Sequence, residues 1–254
     1  MKKLFSLITI TLLLASCSKE HMPSPDPIHP PDVSKRLIKM ADMEYPGNNR
    51  VFTYDALGRI IAVEDSLTIG VITLNGSTAK FTKIWKTTQT VAFSGIISLD
   101  ANGNAIRCVQ TIPGSSGSTI VISDFEYDSD GYMTKQTTNY TGGYVTSAKF
   151  EYTNGNLSKE IFYENGVING YSVFTYSDKP DKLQLNSIVP LYTNFMAGKR
   201  SKNLLMKNEI FSPAGVKNEE IIFDNEVDAD GYLAKRTLNP STVDVHHEVY
   251  TYDK

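Results

Sequence analysis

The chain has 254 residues, of which 41% are hydrophobic and 21% are charged, and its formal net charge is −3. This is the composition of a folded globular protein, and its Lys and Arg residues are scattered along the chain. We therefore expect no nucleic-acid partner and no basic amphipathic helix that binds a membrane surface.

The first 16 residues have the pattern of a secretory signal peptide. Two lysines precede an uncharged, mostly apolar run from Leu4 to Leu14, which is shorter than the roughly 18–20 residues that cross a bilayer as a helix. The run leads into Leu-Ala-Ser-Cys, ending at Cys17, which resembles a bacterial lipobox. This resemblance implies that residues 1–16 are removed and that a lipid on Cys17 is the only attachment to the outer membrane.

Residues 17–33 have the composition of a spacer. Five of the eleven prolines of the chain lie between Pro23 and Pro31, and proline-rich segments are extended and semi-rigid. Ser18 follows the cysteine, which resembles outer-membrane sorting. Both a periplasmic and an outward display of the protein stay open at this point.

The remainder, residues 34–254, predicts a single all-β domain. Short runs rich in Val, Ile, Thr, Tyr and Phe alternate with clusters of Gly, Asn and Asp, which is the signature of strands and tight turns. Cys108 lies in one such run, and we interpret it as a small buried hydrophobic residue.

A repeat unit, aromatic-x-Tyr-Asp-x-x-Gly, recurs in this domain. The tyrosines at 127, 152 and 176 are 25 and 24 residues apart, a spacing that fits a hairpin with its return connection. We predict an antiparallel meander in a twisted or curled, open-barrel-like sheet, in which one aromatic of each unit points inward and the next outward. Copies begin at Phe52, Ser98, Phe125, Phe150, Phe174 and Asn225.

The repeat unit resembles the YD repeat of bacterial secreted and surface proteins. With the lipobox and the spacer, the chain is similar to Bacteroidetes-type envelope lipoproteins of unknown function, and GKRSKNLLMKNE at 198–209 resembles a Gly-Lys-x-Ser-x-Asn-Leu segment of that group. The resemblance implies an envelope lipoprotein with a repetitive sheet and implies no activity. The interval 176–227 departs from it, because FSPAGVKNEE is only a faint echo of the unit. We expect at most one short helix in this interval, near 190–198.

Two of the units contain an acidic pattern that matches the first half of a calcium-binding EF-hand loop. Calcium needs six to eight oxygen ligands, and such a loop closes with a glutamate at its twelfth position, where Thr137 and Thr237 stand in this chain. Other copies keep the Gly and lose the acids, so we favour hairpin turns over weak calcium binding. The candidate calcium ligands are Asp128, Asp130, Asp228 and Asp230.

The remaining candidate sites are weaker. Asp244, His246 and Glu248 alternate along VDVHHEVYTY and could bind zinc, although we favour a solvated strand face. Phe81, Lys83 and Trp85 share one face of a predicted strand, so Trp85 is a candidate exposed ligand-binding aromatic. The other aromatics are expected mainly in the core and in cross-strand pairs.

We therefore expect a non-catalytic binding or scaffold module for an envelope or extracellular glycan or protein. Neither a Gly-x-Ser-x-Gly motif nor an assignable Ser-His-Asp set is present in the sequence, so the expectation leans away from an enzyme. Two alternatives stay open, namely a carboxylate-based glycoside hydrolase and a carrier of an apolar ligand in a concave sheet. No cofactor is expected apart from weakly bound calcium.

Overall fold

The computed structural model describes residues 35–115, 117–182, 196, 198–240 and 245–253. Regular structure in this part of the chain consists of sixteen β-strands and one short 3-10 helix, Pro46–Asn48. The strands are β1 (Leu37–Asp42), β2 (Arg50–Tyr54), β3 (Ile60–Glu64), β4 (Thr68–Asn75), β5 (Thr78–Trp85), β6 (Val91–Leu99), β7 (Ala105–Gly114), β8 (Gly117–Tyr127), β9 (Met133–Tyr140), β10 (Val145–Thr153), β11 (Asn156–Glu164), β12 (Val167–Pro180), β13 (Asn203–Phe211), β14 (Lys217–Val227), β15 (Leu233–Pro240) and β16 (His246–Tyr252).

Consecutive strands pair antiparallel, and β1 pairs with both β2 and β16, so the sheet closes into a barrel. The predicted all-β antiparallel meander in a curled sheet is confirmed. Among the described residues, no helix has the length and hydrophobicity to cross a membrane. The segment in which a short helix is expected, 190–198, lies almost wholly outside the described residues.

The barrel closes where the last strand meets the first. The segment VYTYDK matches only the first half of a repeat unit, and β1 supplies the missing partner strand, with Leu37 opposite Tyr252. Beyond this pair, the Arg36 amide donates to Asp253 Oδ1 at 2.7 Å, and the Asp253 amide donates to the Arg36 carbonyl at 3.0 Å. Each described strand therefore has a neighbour on both sides, and the sheet has no exposed edge that could recruit another chain.

In the repeat units that have two aromatic side chains, both point into the barrel. Phe125 is 6% exposed, and the hydroxyl of Tyr127 donates to the Ala105 carbonyl at 2.7 Å. The prediction that one aromatic points inward and the next outward is wrong, because side chains two residues apart share a face of a strand. The same inward pairs occur at Phe52 and Tyr54, Phe150 and Tyr152, Phe174 and Tyr176, and Tyr250 and Tyr252.

The two ends of the barrel differ. The four Asp-x-x-Gly turns lie at the end where β1 begins, which we call the closed end, and the opposite end is the open end. Every residue of the larger core cluster lies in the half of its strand nearer the closed end, so the apolar core fills that half. The cluster consists of Ile72, Ala79, Phe81, Ile97, Ala105, Cys108, Phe125, Met133, Phe150, Leu157, Phe174 and Leu205.

A segment of six residues, 198–203, lies across the hairpin turns of the closed end, and we call it the closing segment. The Lys199 amide donates to the Gly131 carbonyl at 2.8 Å, and the Lys202 amide donates to the Gly155 carbonyl at 3.1 Å. These bonds join the closing segment to the β8–β9 turn and to the β10–β11 turn.

Side chains fix the closing segment from the inside. The Ser201 hydroxyl is buried, accepts from the Leu157 amide at 3.0 Å and donates to the Tyr176 hydroxyl at 2.9 Å. Asn203 and Asn156 are hydrogen-bonded: the Asn203 backbone amide donates to Asn156 Oδ1 at 3.0 Å. The Gly-Lys-x-Ser-x-Asn pattern of the sequence therefore has a structural role at this end of the barrel.

The outer wall carries charged side chains from β8 to β15. Salt bridges join adjacent strands there, from Lys135 to Glu126 at 2.8 Å and from Lys235 to Glu226 at 3.1 Å. A bilayer-spanning barrel needs an apolar band around its whole outer wall, where a midplane lysine or arginine costs about 2–4 kcal/mol. The charged flank interrupts any continuous apolar band on the outer wall. Exposed apolar residues of the strands occur on the other flank, at Val51, Val71 and Ile96, and also on the charged flank, at Ile120, Val167 and Ile222.

Replacing Gly198 with alanine tests the packing of the closing segment. Gly198 has φ +74°, and an added Cβ would lie 2.5 Å from the Gly131 carbonyl oxygen and 2.7 Å from the Tyr127 ring. We expect Gly198→Ala to lower the free energy of unfolding in urea by more than the ~1–3 kcal/mol that a left-handed alanine costs. Gly76→Ala is the matched control, since Gly76 has φ +58° and no atom within 4 Å of an added Cβ. Equal losses in the two variants would contradict the close packing at Gly198.

Candidate functional site

A cavity of about 320 Å³ opens at the open end of the barrel between β9, β10, β11 and β12, and we call it the mouth cavity. Its volume is at the lower end of the range of small-molecule sites, roughly 300–1,000 Å³. Most of its side chains are polar, and those at inward positions include Gln136, Thr138, Thr146, Glu160 and Glu164.

Glu160 occupies a position that recurs in the repeat. In each unit the inward residue at the start of the hairpin lies opposite an inward residue on the return strand, and Phe150 lies opposite Glu160. The pairing register of the two strands shifts near the turn. This inward position therefore follows the previous inward residue of its strand by three residues instead of two. The equivalent pairs are Phe52–Val63, Ile97–Cys108, Phe125–Gln136, Phe174–Asn208 and Asn225–Arg236.

The Glu160 carboxyl group is buried without a partner for one of its oxygens. The residue is 4% exposed, and Oε2 has no hydrogen bond in the described structure. Burial raises the pKa of this carboxyl from 4.5 to about 7, because the charged form loses its hydration. Asn208, at the equivalent position two strands away, likewise has a buried Oδ1 without a partner.

Two other inward charges of the barrel, those of Arg236 and Lys83, have partners. Arg236 Nε donates to Asn225 Oδ1 at 3.1 Å, and Arg236 lies 3.9 Å from a carboxylate oxygen of Glu248. Lys83 pairs with Asp65 at 3.2 Å. A buried charge is ordinarily paired or coordinated, so the carboxyl of Glu160 is a candidate ligand-binding group.

Hydrogen bonds hold the rim of the mouth cavity. The Tyr144 hydroxyl donates to Glu164 Oε1 at 2.5 Å. Thr138 shares a hydrogen bond of 3.0 Å with Ser123 and accepts from Gln136 Nε2 at 3.3 Å. These contacts position polar groups above Glu160.

The residues that line the mouth cavity include two glutamates and neither lysine nor arginine. The lysines of the surrounding strands lie on the outer wall instead. Lys149 is 5.5 Å from the centre of the Tyr163 ring, and Lys159 is 4.7 Å from that of Tyr171. The cavity is therefore negatively charged whenever Glu160 is ionised.

Glu160→Gln tests the protonation of this buried carboxyl. The folded state holds the proton to about pH 7, whereas an unfolded chain releases it near pH 4.3, so stability decreases as pH rises through that interval. We expect Glu160→Gln to raise the free energy of unfolding in urea at pH 8 by up to about 3.5 kcal/mol, and to change it little at pH 4. Glu151→Gln, on the exposed outer face of β10, is the control and should show no such difference. A gain that is equal at both pH values would contradict the burial argument.

The acidic residues of the predicted calcium loops lie in hairpin turns of one common design. Asp128 Oδ1 accepts from the amides of Asp130 at 3.0 Å and Tyr132 at 2.9 Å, and Gly131 has φ +86°. The turns at Asp55, Asp100 and Asp228 have the same two side-chain bonds and a left-handed glycine. Among the described residues, no group of three or more His, Cys, Asp or Glu could hold a metal ion.

In the second acidic turn a lysine lies beside the carboxylates. Lys35 Nζ is 2.8 Å from Asp228 and 2.5 Å from Asp230. The hydrogen bond to Asp228, followed by that to Asp230, raises the pKa of Lys35 to about 12. These contacts favour a structural role for Asp228 and Asp230, while calcium binding stays an untested prediction.

Asp128→Ala and Asp130→Ala separate a turn from a calcium site. Asp128 bonds two amides, so its loss should cost about 1–2 kcal/mol of unfolding free energy. Asp130→Ala should change stability by less than about 0.5 kcal/mol, and millimolar calcium should not raise the unfolding midpoint of the wild type. Similar losses in both variants, with a midpoint raised by calcium and lowered by chelator, would establish a calcium site.

Trp85 lies at the open-end terminus of β5 and is 42% exposed. It shares a face with Phe81, which is buried, and with Lys83, which lies 5.8 Å from the centre of the Phe93 ring. The predicted face is thus confirmed, and a ligand-binding role for Trp85 stays a prediction. Cys17, the predicted lipid-bearing residue, lies outside the described residues.

The other residues that the sequence singled out have structural partners. Cys108 is buried in the core, and burial raises the pKa of its thiol to about 11. His246 and Glu248 are half-buried at inward positions opposite Leu238 and Arg236, so the predicted face points into the barrel, and its solvation stays a prediction. The His246 ring stacks on Tyr45 at 4.8 Å, and Asp244 lies outside the described residues.

Comparison with known proteins gives likeness of fold alone. The chain shares its fold with two Bacteroides proteins. A porin-like protein from Bacteroides uniformis has a TM-score of 0.63 and 13% identity, over 85% of this chain and 96% of that chain. A porin-like protein from Bacteroides vulgatus has a TM-score of 0.60 and 13% identity, over 85% of this chain and 98% of that chain. No protein-family model and no curated protein matches the chain.

Proposed function

We propose that the chain is a lipoprotein of the cell envelope, in which Cys17 carries a lipid inserted in the outer membrane. The barrel is then a non-catalytic binding module for a glycan or protein of the envelope, with the mouth cavity as its ligand site. The observation that carries this proposal is a cavity of mixed polar and apolar lining, with a buried, partnerless carboxyl oxygen, at one end of a closed barrel. The shared fold with two Bacteroides porin-like proteins supports an envelope location.

The position of the first strand gives the anchored barrel an orientation. β1 begins at the closed end, so the preceding part of the chain is joined to the barrel at that end. A lipid on Cys17 would therefore hold the closed end toward the membrane and present the mouth cavity away from it. The charged outer wall supports attachment through the lipid alone.

The two alternative functions fit the mouth cavity less well. Glu160 and Glu164 are four residues apart on one strand, about 13 Å between Cα atoms at 3.3 Å per residue. The carboxyl pairs of glycosidases are about 5–5.5 Å or 6.5–9.5 Å apart. A carrier of an apolar ligand would need an apolar cavity, whereas this lining includes two carboxyl groups.

Membrane fractionation tests whether the lipid is the sole attachment. Wild type should stay with the membrane after a high-salt wash and be released by detergent. A form exported behind a signal peptide that is cleaved without lipidation, with Cys17→Ala, should appear in the soluble fraction. If this form stays in the membrane fraction and needs detergent for release, the barrel itself inserts in the bilayer and the proposal is wrong.

A further inference from the structure

The mouth cavity has the chemistry of a site for a positively charged group. The buried carboxyl of Glu160 lacks a partner at Oε2, and its strand neighbours Phe150 and Ser172 offer it no charge. Leaving a carboxylate buried and unpaired is costly, and an opposite charge or strong hydrogen-bond donors relieve that cost. A ligand that enters the cavity can supply the opposite charge or the hydrogen-bond donors that the protein does not provide.

The titratable groups around Glu160 make the cavity acidic. Glu164 stands on the same strand at the rim, where it accepts from Tyr144. On β10, burial raises the pKa of the Tyr152 hydroxyl; the Arg200 guanidinium acts against this rise, and the Glu160 charge adds to it. β9 and β12 contribute the uncharged residues Gln136 and Asn169 to the lining. No cation among the lining residues competes for the carboxyl.

Aromatic side chains add to this chemistry. Tyr144 and Phe162 line the mouth cavity together with Glu160. Aromatic ring faces attract an ammonium group by about 0.5–2 kcal/mol, depending on its hydration. Carboxyl groups and rings in one cavity favour an organic cation over a neutral molecule.

We propose that the mouth cavity binds a protonated primary amine, with the ammonium group paired to the Glu160 carboxylate. This inference rests on the proposed function and names the group that the binding module recognises. In the envelope, such an amine is offered by an amino sugar of a glycan or by a lysine side chain of a protein. Both sources present the same ammonium group, and the experiment below distinguishes them.

The pairing predicts a dependence of affinity on pH. Only ionised Glu160 attracts the ammonium group, and a lysine ammonium keeps its proton throughout the range. With a carboxyl that titrates at about 7, the ionised fraction is about tenfold lower at pH 6 than at pH 8. The affinity for the amine should fall by the same factor, whereas a neutral ligand should show little change.

NMR titration of the mature chain, residues 17–254, provides the test with four compounds. Nα-acetyl-lysine amide is compared with Nα-acetyl-norleucine amide at pH 6 and pH 8, and glucosamine is compared with glucose at pH 7. We expect an amine to bind, its neutral analogue to bind at least tenfold more weakly, and Glu160→Gln to lose at least tenfold in affinity. Glu151→Gln, with the same chemical change on the outer wall, should bind as the wild type does.

The four compounds distinguish the possible sources of the amine. Binding of the lysine compound alone identifies a protein as the source, and binding of glucosamine alone identifies a glycan; either supports the proposal. If glucose binds as well as glucosamine, or Glu160→Gln binds the amine with unchanged affinity, the amine assignment is wrong while a binding module remains. If none of the four compounds binds, the mouth cavity is not an amine site. Membrane fractionation of the Cys17→Ala form reports on anchoring independently of these results.

Discussion

The pairing of β1 with β16 is the constraint on which the rest of the structure depends. A closed sheet has one inner and one outer face, and each strand must place alternate residues on the two. The paired aromatics of the repeat then fill the interior of the closed half, and the closing segment covers that end. Polar inward residues collect at the open end, so the mouth cavity follows from the same alternation.

The strand content, the hairpin order and the turn residues could be predicted from the sequence because each depends on local chemistry. An aspartate that bonds the amides two and four residues ahead, followed by a left-handed glycine, is recognisable from Asp-x-x-Gly alone. Closure could not be predicted in this way. It depends on contacts between β1 and β16, more than 200 residues apart in sequence.

A strict alternation of inward and outward residues along the strand does not predict that Glu160 points inward. Leu157 and Glu160 both point inward although they are three residues apart, because the register shifts near the turn. If every second residue after Leu157 pointed inward, Glu160 would point outward. The signal that could have identified it is its place opposite Phe150, a position occupied by Val63 and Cys108 in other units. An ionisable residue at a position that apolar residues occupy in other units indicates either a local partner or a ligand.

The most direct test is a pH titration of the Glu160 carboxyl carbon by ¹³C NMR in the mature chain without ligand. Comparison with Glu160→Gln assigns the signal. This side chain lies inside the barrel, buried and without a charged partner, so we expect a midpoint at about pH 7. A midpoint near the ordinary value of about 4.3 for glutamate would mean that the carboxyl is hydrated or paired. That result would contradict the mouth cavity as a site built around an unpartnered acid.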